Sequence, residues 1–182
     1  INGLIFIRGQ KEDYEDWQSL GASTWGYQGV LPFFRRLESY VGGDSQYRGG
    51  LGELGVSDLR NNDAFCSAWV NAAQEYGLPY NPDFNAETSF GVGSYQLSIK
   101  GRWRSSSASA FLKPALSRAN LTMKTECHTT RVLFEDKKAV GVEWLENGEK
   151  KQATAKCEVI LAAGALQSPQ ILQLSGIGPK GL

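Results

Sequence analysis

One stretch of the chain, residues 159–178, constrains the fold most, because an apolar run there passes into a helix through small residues. Residues 159–162 predict a buried strand, and Ala163 and Gly164 follow at its end. Ser168-Pro169 is typical of a helix start, where free amides collect. Because nucleotides bind beyond the carboxyl ends of strands in open α/β sheets, this junction predicts a place where a ligand approaches the backbone. Close packing of the helix on the strand is the alternative that the residues alone leave open.

The remaining pattern predicts a mixed α+β fold with an antiparallel meander in its last third. The second helix should begin near Gly29 or Val30, because Pro32 fits only in a first turn. The pair Asn147-Gly148 indicates a hairpin, and the glycine-rich residues 42–55 indicate a long loop of the functional or disordered kind. Helices are predicted over 11–20, 27–40, 64–76 and 110–118, and strands over 54–56, 92–99, 121–125, 130–135, 139–145, 150–155 and 158–161. Residues 1–7 predict a short buried strand or an extended stretch.

Composition excludes several classes of function. The 182 residues carry 19 Lys and Arg against 19 Asp and Glu, so the formal net charge is zero. A nucleic-acid module is disfavoured, because counterion release needs a basic excess. No apolar run approaches the roughly 18 residues that a transmembrane segment needs. The three cysteines are scattered and accompany a single histidine, which indicates neither a disulfide framework nor a metal site and favours a reducing compartment.

The residues with catalytic potential all have a plainer explanation. His128 lies between two predicted strands and is interpreted as a surface or ordinary polar histidine. The serines of residues 105–109 lack a nucleophile elbow and are expected to cap the following helix. Cys66 and the aromatic residues of the 64–76 helix are expected in the core. The sequence therefore predicts no general base beside a nucleophile.

Two runs of the chain resemble the signatures of the glucose-methanol-choline (GMC) flavoprotein oxidoreductases. Residues 164–178 resemble the second signature of that family at every fixed position. Residues 1–9, followed by Asp13-Tyr14 and Trp17, resemble the later half of the first signature. Residues 101–121 and 131–143 also follow the family, so the resemblance covers essentially the whole chain. Within the family, the likeness is to dehydrogenases that act on choline and related alcohols.

The resemblance implies an FAD-dependent enzyme that oxidises a choline-like primary alcohol to an aldehyde by hydride transfer to the flavin. It implies cofactor-binding residues that act mainly through main-chain atoms, and these are Asn2, Gly3, Leu4, Ile5, Val132, Ala163 and Gly164. Residues 2–5 would touch the flavin and the pyrophosphate. Val132 would lie on the adenine side, and residues 163 and 164 would face the dinucleotide. No catalytic or metal-binding residue is assigned.

The resemblance also implies a division of the chain between two lobes. Residues 1–52 would belong to the Rossmann-like FAD-binding lobe, with the flavin-contacting N-terminus and the glycine-rich loop. Residues 53–118 would begin the substrate-binding lobe, and residues 119–182 would return to the FAD lobe. The family's dinucleotide-binding glycine loop and its catalytic histidine are expected outside residues 1–182, so the chain is expected to be a central fragment that is inactive alone.

Partners follow from the same resemblance. A small alcohol is expected as substrate and a quinone or similar molecule as electron acceptor, in an intracellular or mitochondrial enzyme associated with the inner membrane. An oxidase that passes electrons to oxygen is the alternative within the family. A non-enzymatic binding module, which would use residues 42–55 and the tryptophans, is the alternative from another class.

Overall fold

The computed structural model describes residues 3–60, 63–179 and 181, which form two compact units. Unit 1 comprises the described residues up to Leu121, and unit 2 comprises those from Thr122 onward. Unit 1 contains helices α1 (Lys11–Ser19), α2 (Tyr27–Leu37), α3 (Ala64–Glu75) and α4 (Lys113–Ala115), a π-helix (Ala108–Leu112), and strands β1 (Glu38–Tyr40), β2 (Leu54–Val56), β3 (Ile99–Lys100) and β4 (Trp103–Arg104). Unit 2 contains strands β5 (His128–Glu135), β6 (Lys138–Glu146) and β7 (Glu149–Thr154) and helix α5 (Gly164–Leu174). The predicted mixed α and β class is confirmed, while the predicted division between lobes stays a prediction.

Helices α1 and α2 pack together through aromatic side chains. Tyr14 of α1 is buried, and its ring centroid lies 5.5 Å from that of Trp17 and 5.7 Å from that of Phe34 on α2. The Asp13 carboxylate accepts the main-chain N–H of Gln10 at 2.7 Å, beside the positive end of the helix dipole. Acidic residues therefore occupy the first turn of α1, which lies within the predicted helix 11–20.

Helix α2 agrees with the predicted range 27–40 at its first residue and differs at its last. It begins at Tyr27, so the later start near Gly29 or Val30 that Pro32 indicates is wrong, and Pro32 lies beyond the first turn. Pro32 has no N–H, so the carbonyl group four residues earlier in the helix lacks its usual partner. Pro32 lies on the exposed side of the helix, where water can hydrate that carbonyl group. The helix stops before the predicted residue 40 because Glu38 opens strand β1, which pairs in parallel with β2.

Helix α3 exposes the aromatic face that its periodicity places in a core. Asp63 caps the helix by accepting the Phe65 amide at 2.8 Å, and the helix ends one residue before the prediction. Phe65 and Trp69 are nevertheless 76% and 69% exposed, and Cys66 is exposed as well. The core assignment of these residues is therefore wrong within unit 1, because helical spacing shows which residues share a face and not what covers it.

The predicted strand 92–99 is mostly irregular. Ile99 joins the two-residue strand β3, which pairs with β4, and upstream Leu97 forms single bridges with Ile5 and Ser57. The most deeply buried side chain here is the polar Gln96, at 1% exposure. The alternating pattern belongs to a connecting segment whose main-chain hydrogen bonds go to several different neighbours, so the predicted half-buried strand is wrong over most of its length.

The serine run leads into a π-helix and α4 instead of one continuous helix over 110–118. The Ser109 amide donates to Ser106 Oγ at 3.2 Å, and the Ser106 amide donates to Ser109 Oγ at 2.8 Å. These hydroxyl groups satisfy main-chain amides at the start of the helical segment, in line with the predicted capping. Ser105 is buried, and its hydroxyl accepts the Gly55 amide at 2.8 Å, which ties this segment to β2.

Unit 2 is built on an antiparallel meander in the order β5, β6, β7. Asn147-Gly148 joins β6 to β7, and the φ angles of 54° and 81° are those of a type I′ turn, so the predicted hairpin is confirmed. Helix α5 lies against β5, where Ser175 accepts the Val132 amide at 2.8 Å. Ser175 also donates its hydroxyl to the Ile171 carbonyl at 2.6 Å.

Two predicted strands, 121–125 and 158–161, are not strands in the structure, and the described residues 3–7 of the predicted segment 1–7 contain only the single bridge of Ile5. The apolar run 159–162 is extended without a partner, and Ile160 is 78% exposed. A strand needs a hydrogen-bonded neighbour, and none of the described residues pairs with this run. Helix α5 begins at Gly164, so Pro169 lies inside it, and Ser168 acts from within the helix by accepting the Ala163 amide at 3.0 Å.

Candidate functional site

The N-terminal segment of unit 1 presents main-chain groups along an open edge. A Cβ added at Gly3 would have no heavy atom within 4 Å, and Ile5 is 49% exposed. Leu4 has a φ of 74°, in the left-handed region that residues other than glycine seldom adopt. Asn2, the first of the predicted flavin contacts, lies outside the described residues. A ligand can therefore approach this segment at Gly3 and at Ile5, on either side of the half-exposed Leu4.

Hydrogen bonds from the interior of unit 1 hold this segment in place. The Ser98 amide donates to the Leu4 carbonyl at 2.7 Å. The side chain of Asn85 continues the contact, because Oδ1 accepts the Arg8 amide at 2.8 Å and Nδ2 donates to the Phe6 carbonyl at 3.1 Å. The main chain at Leu4, Phe6 and Arg8 is thus held by hydrogen bonds from Ser98 and Asn85.

A buried network of ion pairs lies at the end of this segment. Glu38 is fully buried, and its carboxylate accepts hydrogen bonds from Arg8 Nη2 at 2.6 Å and from Arg48 Nε at 2.9 Å. The Gly49 amide donates to the same Glu38 carboxylate at 2.9 Å. Arg48 Nη1 extends the network to Asp83 at 2.7 Å. Two guanidinium groups therefore face two carboxylates, so each of these buried charges has a partner of opposite sign.

The network shifts the pKa values of its two arginines in opposite directions. Burial lowers the pKa of Arg8, and the attraction of Glu38 offsets this effect only in part. Burial acts to lower the pKa of Arg48 as well, but the hydrogen bond and charge of Glu38, with the charge of Asp83, raise it above its ordinary value. An arginine in either condition stays protonated at neutral pH, so the network keeps its charges.

The glycine-rich stretch 42–55 is an ordered loop that supports this network. Arg48 is 2% exposed, and a Cβ added at the following Gly49 would overlap the carbonyl oxygen of Arg35. Tyr40 stacks on the Arg48 guanidinium at 3.9 Å and donates its hydroxyl to Asp58 at 2.9 Å. Burial and the hydrogen bond to Asp58 raise the pKa of Tyr40 to about 12. The loop therefore has a structural role, and a binding module built on it has no support here.

An apolar cleft of about 330 Å³ adjoins the open segment at Ile5. Phe65 and Trp69 of α3 line one part of it, and Tyr95 and Leu97 line another. The exposed aromatic face of α3 thus borders the segment that the resemblance assigns to the flavin. An apolar concave surface of this kind favours a ligand with an apolar or aromatic portion.

The predicted nucleotide contacts of unit 2 differ in their accessibility. Val132 is buried at 6% exposure in β5, and its amide already donates to Ser175. Ala163 and Gly164 are exposed at the start of α5, where Gly164 has a φ of 91°. The free amides of a helix start carry a partial positive charge, which suits an anionic group.

These residues fit the parts of an FAD molecule, each set within its own unit. Open main-chain groups at residues 3–5 suit the flat, hydrogen-bonding ring system of the flavin. The start of α5 suits a pyrophosphate, because its cap Ala163 and first residue Gly164 are small and let backbone amides approach closely, although the Ala163 amide itself donates to Ser168. The donor set thus matches the chemistry of a dinucleotide that is held mainly by main-chain atoms.

Other chemistries find little support among the described residues. His128 is exposed at the first position of β5, which confirms its interpretation as a surface histidine. Within residues 3–60, 63–179 and 181, no three His, Cys, Asp or Glu side chains are grouped as metal ligands. Nor does any helix in that part of the chain have the length and hydrophobicity to cross a bilayer.

Sequence reasoning missed the polar residues that support the open segment. Asn85 and Gln96 are 3% and 1% exposed and hydrogen-bond to each other at 3.2 Å, yet neither lies in a recognisable pattern. Glu38 sits at the end of a helical stripe and has the appearance of a solvated residue. Arg8 carried a signal, since it belongs to the run that resembles the first signature. Partners this distant in sequence leave no local periodicity by which they could be found.

Comparison with known proteins agrees with this geometry. Residues 1–182 match the family description "GMC oxidoreductase". The mitochondrial choline dehydrogenase of Homo sapiens is 44% identical over 98% of this chain and 30% of its own length, and the alcohol dehydrogenase [acceptor] of Pseudomonas putida is 43% identical over 98% of this chain and 33% of its own length. A solved structure, an FAD-dependent oxidoreductase from Chaetomium thermophilum, superposes with a TM-score of 0.90 at 32% identity and covers 100% of this chain and 34% of that one. The chain thus spans about a third of the length of these relatives. It belongs to the GMC oxidoreductase family.

Proposed function

We propose that this chain is part of an FAD-dependent alcohol dehydrogenase that oxidises a choline-like primary alcohol to an aldehyde. FAD, when bound, supplies the acceptor for the hydride that leaves the alcohol carbon. The observation that carries the proposal is the exposure of Gly3 and Ile5 on either side of Leu4, whose carbonyl is held by Ser98, in a chain of the GMC family. Relatives that bear the names choline dehydrogenase and alcohol dehydrogenase support the substrate class.

The residues of this chain bind and orient the cofactor in the proposal. Asn2 joins residues 3–5 in contacting the flavin and the pyrophosphate through main-chain atoms. Ala163 and Gly164 lie against the dinucleotide, and the positive start of α5 attracts its phosphate charge. Val132 serves the adenine side through its carbonyl group, because its amide donates to Ser175 and both groups of a residue in an antiparallel edge strand point the same way.

The proposal also covers the partners of the enzyme. Electrons pass to a quinone or similar acceptor, and the protein is intracellular or mitochondrial and associates with the inner membrane. An oxidase of the same family would instead reduce oxygen to peroxide. Assaying the full-length protein with choline and other primary alcohols, first with an artificial quinone and then with oxygen alone, distinguishes the two. Peroxide formed at the full rate of alcohol oxidation would overturn the dehydrogenase assignment.

The test of the cofactor site uses a substitution that leaves the fold unaffected. A Cβ added at Gly3 would have no heavy atom within 4 Å, so we expect Gly3→Val to fold as the wild type does. Its side chain would occupy the space in which we place the flavin, so we expect the FAD content of the purified full-length protein to fall severalfold. Gly178→Val is the matched control, because Gly178 is also exposed, has no left-handed φ and faces only the flexible side chain of Gln173 at 3.5 Å.

Two results would contradict the proposal. The first is a wild-type protein that purifies without the flavin absorption bands and does not acquire them when FAD is added. The second is a Gly3→Val variant that retains as much FAD as Gly178→Val, with melting temperatures equal to that of the wild type.

A further inference from the structure

The side chain of Asn85 occupies an unusual position in unit 1. It is 97% buried. Two of its three side-chain hydrogen bonds go to the main chain of the N-terminal segment, residues 3–8, and the third goes to the side chain of Gln96. Oδ1 accepts the Arg8 amide at 2.8 Å, and Nδ2 donates to the Phe6 carbonyl at 3.1 Å and to Gln96 Oε1 at 3.2 Å. One amide side chain therefore pairs with the main-chain groups on either side of Ile7, the carbonyl of Phe6 and the N–H of Arg8.

Asn85 is itself held by the ion-pair network. The main-chain N–H of Asn85 donates to Asp83 Oδ1 at 2.9 Å, and Arg48 Nη1 donates to the same Asp83 oxygen at 2.7 Å. Arg48 in turn pairs with Glu38, which also pairs with Arg8. These contacts connect the Arg8 side chain, through Glu38, Arg48, Asp83 and Asn85, to the main-chain N–H of Arg8.

The open segment needs such support because of its backbone conformation. Leu4 at a φ of 74° is in a region that a leucine leaves unless its surroundings hold it there. Several hydrogen bonds hold the segment in this shape, and two of them come from the Asn85 side chain. Two others join Leu4 to Ser98 and Phe6 to Gln96 through main-chain atoms.

We propose that Asn85 is a positioning residue for FAD, which acts by holding the main chain of residues 3–5 in the conformation that contacts the flavin. This inference rests on the proposed function of those residues. Asn85 itself touches no part of the cofactor and acts through Phe6 and Arg8. Removal of its side chain lets Leu4 relax toward negative φ, which turns the peptide groups of the open edge away from their binding orientation.

The chain offers a closely matched control in Asn81. Asn81 lies in the same turn, is 6% exposed, and also makes three hydrogen bonds, to the Thr88 and Phe90 carbonyls and to the Asp83 amide. None of the partners of Asn81 belongs to residues 3–8. Asn85→Ala and Asn81→Ala therefore remove the same side chain and the same number of buried contacts, and they differ in whether the open segment is released.

The experiment compares wild type, Asn85→Ala and Asn81→Ala in the full-length protein. FAD is removed and titrated back while flavin fluorescence is followed, and the visible spectrum at saturating FAD and the melting temperature of the flavin-free protein are recorded. We expect both variants to lose similar thermal stability. Asn85→Ala alone should raise the FAD dissociation constant about tenfold and alter the flavin bands. Without the Asn85 side chain, part of the FAD binding energy must be used to order residues 3–5.

The outcomes separate this inference from the proposed function. Equal FAD affinity and spectra in the two variants would overturn the positioning role while leaving the cofactor site intact. A wild-type protein that binds no FAD would overturn the proposed function itself. Should Asn85→Ala yield no folded protein, Asn85→Ser against Asn81→Ser carries the same comparison, because serine is too short to reach the Phe6 carbonyl from that position.

Discussion

Replacement of Glu38 by glutamine should destabilise unit 1 strongly although it hardly changes the shape of the side chain. The carboxylate accepts hydrogen bonds from Arg8, Arg48 and Gly49 and is fully buried. Glutamine keeps one acceptor but points an amide group at a guanidinium donor, and it removes the charge that balances two arginines. Removing one partner of a buried ion pair costs about 3 to 5 kcal/mol, so we expect a loss of about 4 kcal/mol in the free energy of unfolding.

Urea denaturation of the full-length protein, followed by tryptophan fluorescence, measures this loss. With a slope of about 2 kcal/mol per M, a loss of about 4 kcal/mol lowers the transition midpoint by about 2 M. Glu53→Gln is the control, because Glu53 is exposed and should shift the midpoint by less than about 0.3 M. A Glu38→Gln midpoint as close to the wild type as that of Glu53→Gln would refute the reasoning that the buried carboxylate holds the network together.

Three further predictions concern Tyr40, Ser175 and Gly148. The phenol of Tyr40, with its pKa raised to about 12 by burial and by its hydrogen bond to Asp58, should ionise later than ordinary tyrosines. The stability that the protonated Tyr40 phenol contributes is complete below pH 10 and is lost between about pH 10 and 12. An ultraviolet titration should show a late ionisation step in the wild type that is absent from Tyr40→Phe. Ser175→Ala leaves the Val132 amide without its acceptor and should lower the unfolding free energy by about 1 to 3 kcal/mol in chemical denaturation, whereas Ser175→Thr should retain most of it. Gly148→Ala, at a φ of 81° in the β6–β7 turn, should cost about 1 to 2 kcal/mol and show faster amide exchange in β7; unchanged exchange would argue against the type I′ turn.

Local patterns predicted those features that depend on neighbours in sequence. The Asn147-Gly148 turn and the start of α1 follow from the chemistry of a few consecutive residues. The exposed run 159–162 was predicted as a buried strand because strand propensity carries no information about a pairing partner. The exposure of Trp69 has the same cause, since a helical stripe does not specify what covers it.

The candidate site divides in the same way. Residues 3–5 and 163–164 could be named from a resemblance because they lie inside continuous motifs. Asn85 contacts Phe6 across 79 positions, and that pairing arises only when the chain is folded. Buried polar contacts of this kind have no hydrophobic periodicity, so composition and spacing give no warning of them.

Surface loops usually tolerate substitution better than helices do. The close approach of Gly49 to the Arg35 carbonyl predicts the opposite here, because no side chain fits at that loop position. Saturation mutagenesis should find the loop around Gly49 and Arg48 among the least tolerant stretches of unit 1, while solvent-facing positions of helix α3 accept most replacements. Variant libraries would therefore gain more members that fold by randomising α3 and leaving the glycine-rich loop unchanged.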